Sequence, residues 1–249
     1  VDPDQVKKQL EKKRYSLVAV VHAETSTGVC NPIAEIADLL KDNEALFLVD
    51  TVTSLGGIPV ETDLWQADAV YSGTQKCLSC PPGLAPITFS ERAVQKTLNR
   101  KAKVPNWYLD LSMIVNYWEG SQRAYHHTAP INMLYGLYQA LFNISSEGAE
   151  NVFARHKQCH LALVNSLESN GFEMLVEPAY RLPMLNSVLI PSGVNEAEVR
   201  HKLLTEYQIE IGAGLGPLAG KIWRIGVMGH TAQPENIKRL TEALKKILA

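Results

Sequence analysis

Residues 17–50 read LVAVVHAETSTGVCNPIAEIADLLKDNEALFLVD, and the order of textures within them sets the fold class. Leu17–Val21 is a short, wholly apolar run. Ile33–Leu40 then repeats apolar residues at helical spacing, and Ala45–Val49 is apolar again. Runs this short, bounded by turn residues, suit strands buried on both faces, and the helix between them suits a parallel crossover. Two further runs follow at Ala69–Tyr71 and Ala85–Phe89. The pattern predicts an α/β fold built on a mainly parallel sheet.

Outward from this unit the texture changes. Val1–Arg14 reads as one polar helix. From Pro130 on, Ile131–Leu141 is helical, and its apolar character through Phe142, broken only by Asn132, Gly136 and Gln139, predicts a buried helix. Ala149–Asn170 is an amphipathic helix closed by Gly171. A strand at Phe172–Val176, a strand at Ser187–Ile190, a helix at Glu196–Tyr207, a strand at Ile222–Val227 and a helix at Pro234–Leu248 complete an α+β appendix. The expected division lies near Ser145–Gly148, with a large domain over 1–147 and a small one over 148–249.

Bulk properties narrow the function. The 249 residues are 46% hydrophobic and 20% charged, with a net charge of −2, ordinary values for a globular enzyme. The mixed-sign stretch at 7–14 is a solvated helix face, so nothing asks for nucleic acid or an anionic membrane. No apolar stretch approaches the roughly 20 residues that span a bilayer. Four scattered cysteines suggest a reducing home, and a cytoplasmic location is expected, with peroxisome or mitochondrion as alternatives.

Ligands of open parallel sheets gather beyond the carboxyl ends of the strands. There the first run leads into His22-Ala-Glu-Thr25-Ser-Thr-Gly28, the second ends in Asp50, and the third in Ser72-Gly-Thr-Gln75-Lys76. Each has a plain explanation: Asp50 as a cap, Lys76 as a solvated lysine, the Thr/Ser cluster as a turn. Their combination lifts them. Glu24, Asp50 and Lys76 are equally spaced, and five motifs occur in order. These are Glu-Thr-Ser-Thr-Gly at 24–28, Leu-Val-Asp-Thr-Val-Thr-Ser-Leu-Gly-Gly at 48–57, Tyr-Ser-Gly-Thr-Gln-Lys-Cys-Leu at 71–78 with Pro-Pro-Gly at 81–83, Tyr-His-His-Thr at 125–128, and Gly-Leu-Gly-Pro-Leu-Ala-Gly-Lys-Ile-Trp-Arg-Ile-Gly at 214–226.

In wording and spacing these motifs resemble the class V, fold-type I aminotransferases that use pyridoxal 5′-phosphate, and within them the alanine:glyoxylate and serine:glyoxylate group. The resemblance implies that Lys76 carries the cofactor through its amine and serves afterwards as general acid/base. It implies that Asp50 keeps the pyridine nitrogen protonated, since a carboxylate within hydrogen-bond reach favours the charged form. Val52 is expected to press on the ring face, Thr25 to bond its phenolic oxygen, and Gln75 to hold the phosphate. Tyr125 and Thr128 are expected to donate to the phosphate of a neighbouring subunit, which makes the protein a homodimer with shared sites. Arg224 is expected to grip the substrate α-carboxylate with its planar fork. The implied reaction moves an amino group from alanine or serine to glyoxylate or another small 2-oxo acid.

Other motifs carry less. Gly214-Leu-Gly216-Pro-Leu-Ala219 imitates a nucleotide loop, but Pro217 follows at once and a strand comes next where that fingerprint needs a helix. Cys77-Leu-Ser-Cys80 lacks a second ligand pair, and His126-His127 belongs to a phosphate-site turn, so no metal is expected. His156 and His160, four apart, are read as a solvated helix face. The related cysteine desulfurases typically carry a histidine where Gln75 stands. An aromatic donor such as a kynurenine-type amino acid, or a cofactor-free fragment that keeps only a dimer surface, are the remaining rivals. No counterpart of the family's phosphate loop or ring-stacking aromatic precedes Leu17, which suggests a chain that begins within a longer protein.

Overall fold

A computed structural model describes residues 1–119 and 125–248. Helix α1 (Pro3–Lys12) buries none of its residues, as its polar composition predicts. The first sheet holds β1 (Leu17–Val21), β4 (Leu46–Asp50), β5 (Ala69–Tyr71) and β6 (Ile87–Phe89) in the order β1-β4-β5-β6. Between β1 and β4 the chain forms a two-residue hairpin, β2 (Ala23–Glu24) with β3 (Val29–Cys30), and helix α2 (Ile33–Asp38). Strands β1, β4 and β5 are parallel, and their register sets Val21 beside Asp50 and Asp50 beside Tyr71. Helix α2 lays Ile33, Ile36 and Ala37 on Val20, Phe47, Val49 and Val70, with Trp65 closing the cluster. Burying an aliphatic side chain of this size contributes about 1.5–3 kcal/mol, so this cluster holds the crossover on the sheet.

The outer strands depart from the expectation of strands buried on both faces. Leu17 is half exposed at the edge in β1, and β6 runs antiparallel with Ile87 and Thr88 exposed. Pro86 lies at the start of this edge, where a missing N–H costs least, and its carbonyl still accepts the Ser72 N–H.

Helix α3 (Glu91–Leu98) is capped by Ser90, whose hydroxyl accepts from Ala93 N. Helices α4 (Leu111–Glu119) and α5 (Ile131–Glu147) follow, and Gly148 (φ +86°) separates α5 from α6 (Ala149–Glu168). The expected burial of α5 fails. Only Ala140 is buried, while Tyr135, Tyr138 and Phe142 are exposed. Helix α6 reverses another expectation: His156 and His160 are buried rather than solvated. They fall on the same stripe as Val152, Cys159, Leu163 and Leu167, which faces the second core.

That core surrounds an antiparallel sheet ordered β7-β9-β8, with β7 (Leu185–Leu189), β8 (Gly212–Ala213) and β9 (Ile222–Gly226). Helices α7 (Glu196–Tyr207) and α8 (Pro234–Leu248) keep their expected bounds. Trp223, Leu203, Leu240 and Leu244 fill the interior. The strand expected at Phe172–Val176 is reduced to a bridge between Met174 and Val188 flanked by single hydrogen bonds. Among the described residues no helix is long and apolar enough to cross a membrane.

The hairpin β2–β3 joins the two sheets. Gly28 turns at φ +81°, and its carbonyl accepts from Leu182 N at 2.9 Å. A β-carbon at Gly28 would stand 2.9 Å from the Leu185 carbonyl oxygen, so no other residue fits there without displacing β7. Ala23, Cys77, Leu182, Met184 and Leu185 form a small apolar cluster at this junction.

Candidate active site

Three elements bring polar groups to the carboxyl edge of the parallel sheet. Asp50 ends β4. Its Oδ1 accepts from Val52 N at 2.8 Å, and its Oδ2 accepts from the Tyr71 hydroxyl at 2.5 Å. The strand register explains the second bond, because Tyr71 ends β5 directly beside Asp50. The hydrogen bond to Asp50, aided by burial, pushes the Tyr71 phenol up to about 12. The phenol therefore keeps its proton near neutrality and Asp50 stays an acceptor. Each carboxylate oxygen retains a further lone pair.

From Tyr71 the chain enters the Lys76 loop. Ser72 Oγ donates to the Thr51 carbonyl, and Thr74 Oγ1 donates to the Pro81 carbonyl at 2.7 Å. Cys80 N bonds the Thr74 carbonyl and Ser79 N the Lys76 carbonyl, so the loop is closed on itself. Lys76 is half-buried, and its amine forms no hydrogen bond or ion pair among the described residues. Gly73, three residues before it, leaves room between two neighbouring side chains. A β-carbon there would lie 2.7 Å from Gln75 Oε1 and 3.4 Å from Val52 Cγ1, so Val52 and Gln75 flank one small recess.

Thr25 lies in the β2–β3 turn, brought to the second sheet by Arg224. Arg224 Nη1 donates to the Thr25 carbonyl at 3.0 Å and Nε to the Ala213 carbonyl at 2.7 Å. Two main-chain acceptors thus fix the guanidinium, and no carboxylate pairs with it among the described residues. Tyr125 and Thr128 behave differently. Both are exposed, and their hydroxyls bond each other at 2.5 Å. Neither forms a hydrogen bond with Asp50, Lys76 or Thr25. Beside them His126 stacks on Trp107, with centroids 4.5 Å apart.

Cys77 and Cys80 are buried free thiols. Burial drives Cys77 up to about 12, and its Sγ donates to the Thr53 carbonyl, which makes it an inert packing group. The motif at Gly214–Ala219 is a turn: a β-carbon at Gly214 would meet the Leu218 carbonyl oxygen at 2.0 Å.

The family model described as aminotransferase class V matches residues 1–240. The chain belongs to the class-V aminotransferases. It is 36% identical over 265 residues to the (S)-ureidoglycine–glyoxylate transaminase of Bacillus subtilis, covering 99% of this chain and 64% of the relative. It is 37% identical to the alanine–glyoxylate aminotransferase of Mus musculus, covering 98% of this chain and 60% of the relative. Among solved structures, an alanine–glyoxylate aminotransferase from Nostoc sp. superposes with a TM-score of 0.96 at 46% identity, over 100% of this chain and 66% of that one. The chain spans about 60–64% of the length of these curated relatives. The fold is that of the fold-type I enzymes, as the sequence implies.

Class-V aminotransferases work with pyridoxal phosphate, and the residues present suit it. A ring nitrogen that carries a proton needs a hydrogen-bond acceptor, and Asp50 is a carboxylate oriented by two donors. A carbonyl-bearing cofactor needs an amine without a competing partner, and the Lys76 amine has none among the described residues. The recess kept open by Gly73 between Val52 and Gln75 is space that a β-carbon would fill. Sequence reasoning missed Tyr71 as the donor to Asp50. The signal was available, since both residues end adjacent parallel runs.

Proposed function

We propose that the full-length protein is a transaminase that moves an amino group from alanine or serine to glyoxylate, or to another small 2-oxo acid, with pyridoxal phosphate held on Lys76. The observation that carries this reading is the bond from Arg224 to the Thr25 carbonyl. It sets a fixed guanidinium, without a carboxylate partner among the described residues, beside the hairpin that leaves the same sheet edge as Asp50 and Lys76. When bound, pyridoxal phosphate supplies an electron sink for the charge that develops at the substrate α-carbon.

In this reading Lys76 takes the proton from the substrate α-carbon, within reach of a general base. Asp50 holds a proton on the ring nitrogen, and Tyr71 holds Asp50. Val52 would pack against the ring face, Thr25 would bond the phenolic oxygen, and Gln75 would hold the phosphate. Arg224 orients the substrate by its carboxylate, for which a planar fork suits better than a point charge. Tyr125 and Thr128, exposed and bonded to each other, serve the phosphate of a partner subunit, so the protein is a homodimer with shared sites. The division at 147/148, where Gly148 parts α5 from α6, separates a cofactor-binding domain from a small domain. Four free cysteines suit a cytoplasmic location. The relatives' names favour glyoxylate as acceptor over an aromatic-donor reading, and they differ from each other in the donor.

Borohydride reduction of the full-length protein supplied with pyridoxal phosphate, followed by peptide mapping, should mark Lys76. A label on Lys101 or Lys221 instead would overturn the assignment. Turnover of glyoxylate with alanine, serine or ureidoglycine then selects the donor.

A further inference from the structure

The loop that carries Lys76 is braced by a turn 151 residues beyond Ser79, and that turn is held by two consecutive side chains of α6. Ser79, at φ +59°, sits in the left-handed region that a non-glycine residue rarely occupies. Its Oγ accepts from His230 N at 2.7 Å, which ties the strained residue to the turn at Gly229–Thr231. The packing leaves no slack. A β-carbon on Gly229 would fall 1.8 Å from Ser79 Oγ and 2.8 Å from the Cys77 carbonyl oxygen.

The turn is itself clamped at both poles. Arg155 Nη1 donates to the carbonyls of Gly229 and Ala232 at 2.8 and 2.9 Å, while Nε and Nη2 pair with Glu147. Gly229 N donates to His156 Nε2 at 2.8 Å. Since a backbone N–H can only donate, Nε2 must be an unprotonated acceptor. The other ring nitrogen, Nδ1, lies 2.7 Å from the Val152 carbonyl, which can only accept. Nδ1 therefore carries the proton, and the tautomer is fixed from both sides. The ring is fully buried.

We propose that His156, as the neutral Nδ1–H tautomer, is a positioning residue for Lys76, acting through the Gly229 amide and Ser79 to hold the lysine loop in one register. The inference rests on the reading that Lys76 carries the cofactor. A side chain that merely filled this space would need no acceptor, yet an unpaired buried N–H at Gly229 is costly. Burial also lowers the pKa of His156, in keeping with a ring that must stay an acceptor. His160, four residues on, makes a different bond, to Asn186, and has no part in the brace.

The test compares His156→Met with His156→Gln in the full-length protein by amide hydrogen exchange. The glutamine carbonyl can replace Nε2 as an acceptor, and methionine cannot. In His156→Met, the segments 77–80 and 229–232 should exchange about tenfold faster or more, with 46–50 unchanged, and His156→Gln should stay within about twofold of the parent. In turnover, His156→Met should lower kcat and leave the KM for the amino donor unchanged. Unchanged exchange at 77–80 would overturn the proposal. So would an equal rise at 46–50, or a glutamine variant that behaves like the methionine one. Should His156→Met fail to fold, the ring nitrogen shifts of the parent decide: a proton on Nε2 overturns the brace, and a proton on Nδ1 supports it. Exchange and nitrogen shifts need neither cofactor nor turnover, so they test the brace even if Lys76 proves not to carry the cofactor.

Discussion

Helices α5 and α6 follow one another with only Gly148 between them, and they meet opposite fates. Helix α5 is the more apolar, with Leu134, Tyr135, Tyr138, Leu141 and Phe142 on its surface, yet it buries Ala140 alone. Helix α6 contains Glu150, Arg155, Lys157 and two histidines, yet it buries seven residues, both histidines among them. Composition therefore does not decide burial here. What decides it is whether a complementary surface is present in the same chain. Helix α6 has one in the β7–β9–β8 sheet and α8. Contiguous exposed apolar surface of the kind on α5 marks a site of association, and the exposed Tyr125–Thr128 pair stands just before that helix.

The sharpest way to break this comparison is to charge the exposed face. If the proposed homodimer is built on this face, Leu134→Asp with Tyr138→Asp in the full-length protein should convert it to monomers. Under the proposed shared-site reading, transaminase activity should drop on the order of 100-fold, since Tyr125 and Thr128 would no longer reach the neighbouring site. The far-ultraviolet spectrum should stay the same. Sedimentation velocity reads the first outcome, and a double variant that remains dimeric and active would refute it. The mirror experiment on α6 is Leu163→Ala. Leu163 is fully buried, and losing its side chain should cost about 2–5 kcal/mol of stability without changing the subunit count. Urea unfolding followed through Trp223 measures it, and a loss under about 1 kcal/mol would mean that the second core is not packed as described.

A smaller effect separates the two helices in acid. Burial lowers the pKa of His156 and of His160, while α5 contains no histidine. At the end of β1, burial takes His22 from 6.5 to about 4. A histidine with a depressed folded pKa binds its proton more readily when unfolded. Its contribution is whole above pH 6.5 and is lost as pH falls from there through the folded value. For His22 that loss is on the order of 3 kcal/mol by pH 4. Thermal midpoints should thus fall steadily between pH 6.5 and 4, and a flat profile would contradict the burial of these rings.

Much of this architecture is legible in the chain. Glu196–Tyr207, capped by Asn195, and Pro234–Leu248, opened by a proline, are legible to both ends, and the runs at 17–21 and 45–49 give the parallel pair. The two-residue strands β2, β3 and β8 are too short to leave a pattern. Their pairing depends on contacts such as Gly28 against Leu185, far apart in sequence. In the site, Asp50 and Lys76 stand out through motif and spacing. Tyr71 requires strand register, which only the pairing of two strand ends reveals. His156 illustrates a misreading. The stripe Val152, His156, Cys159, Leu163, Leu167 gives its burial, but a local view of two histidines around Lys157 suggests solvent. The exposure of α5 is not legible, because its apolar composition predicts burial while the described residues pack only Ala140 of it away.

The setting of Arg224 has a further consequence, for the encounter between protein and substrate. Its guanidinium is held by two carbonyl oxygens and neutralised by no carboxylate among the described residues, so its positive charge acts there without an ionic partner. Under the proposed reading an anionic oxo acid is drawn along that field before it touches the protein. Raising ionic strength from about 0.01 to about 0.15 M shortens the reach of the field from about 30 to about 8 Å. It should lower kcat/KM for glyoxylate a few-fold while kcat holds steady, because the attraction governs arrival and not the chemistry that follows.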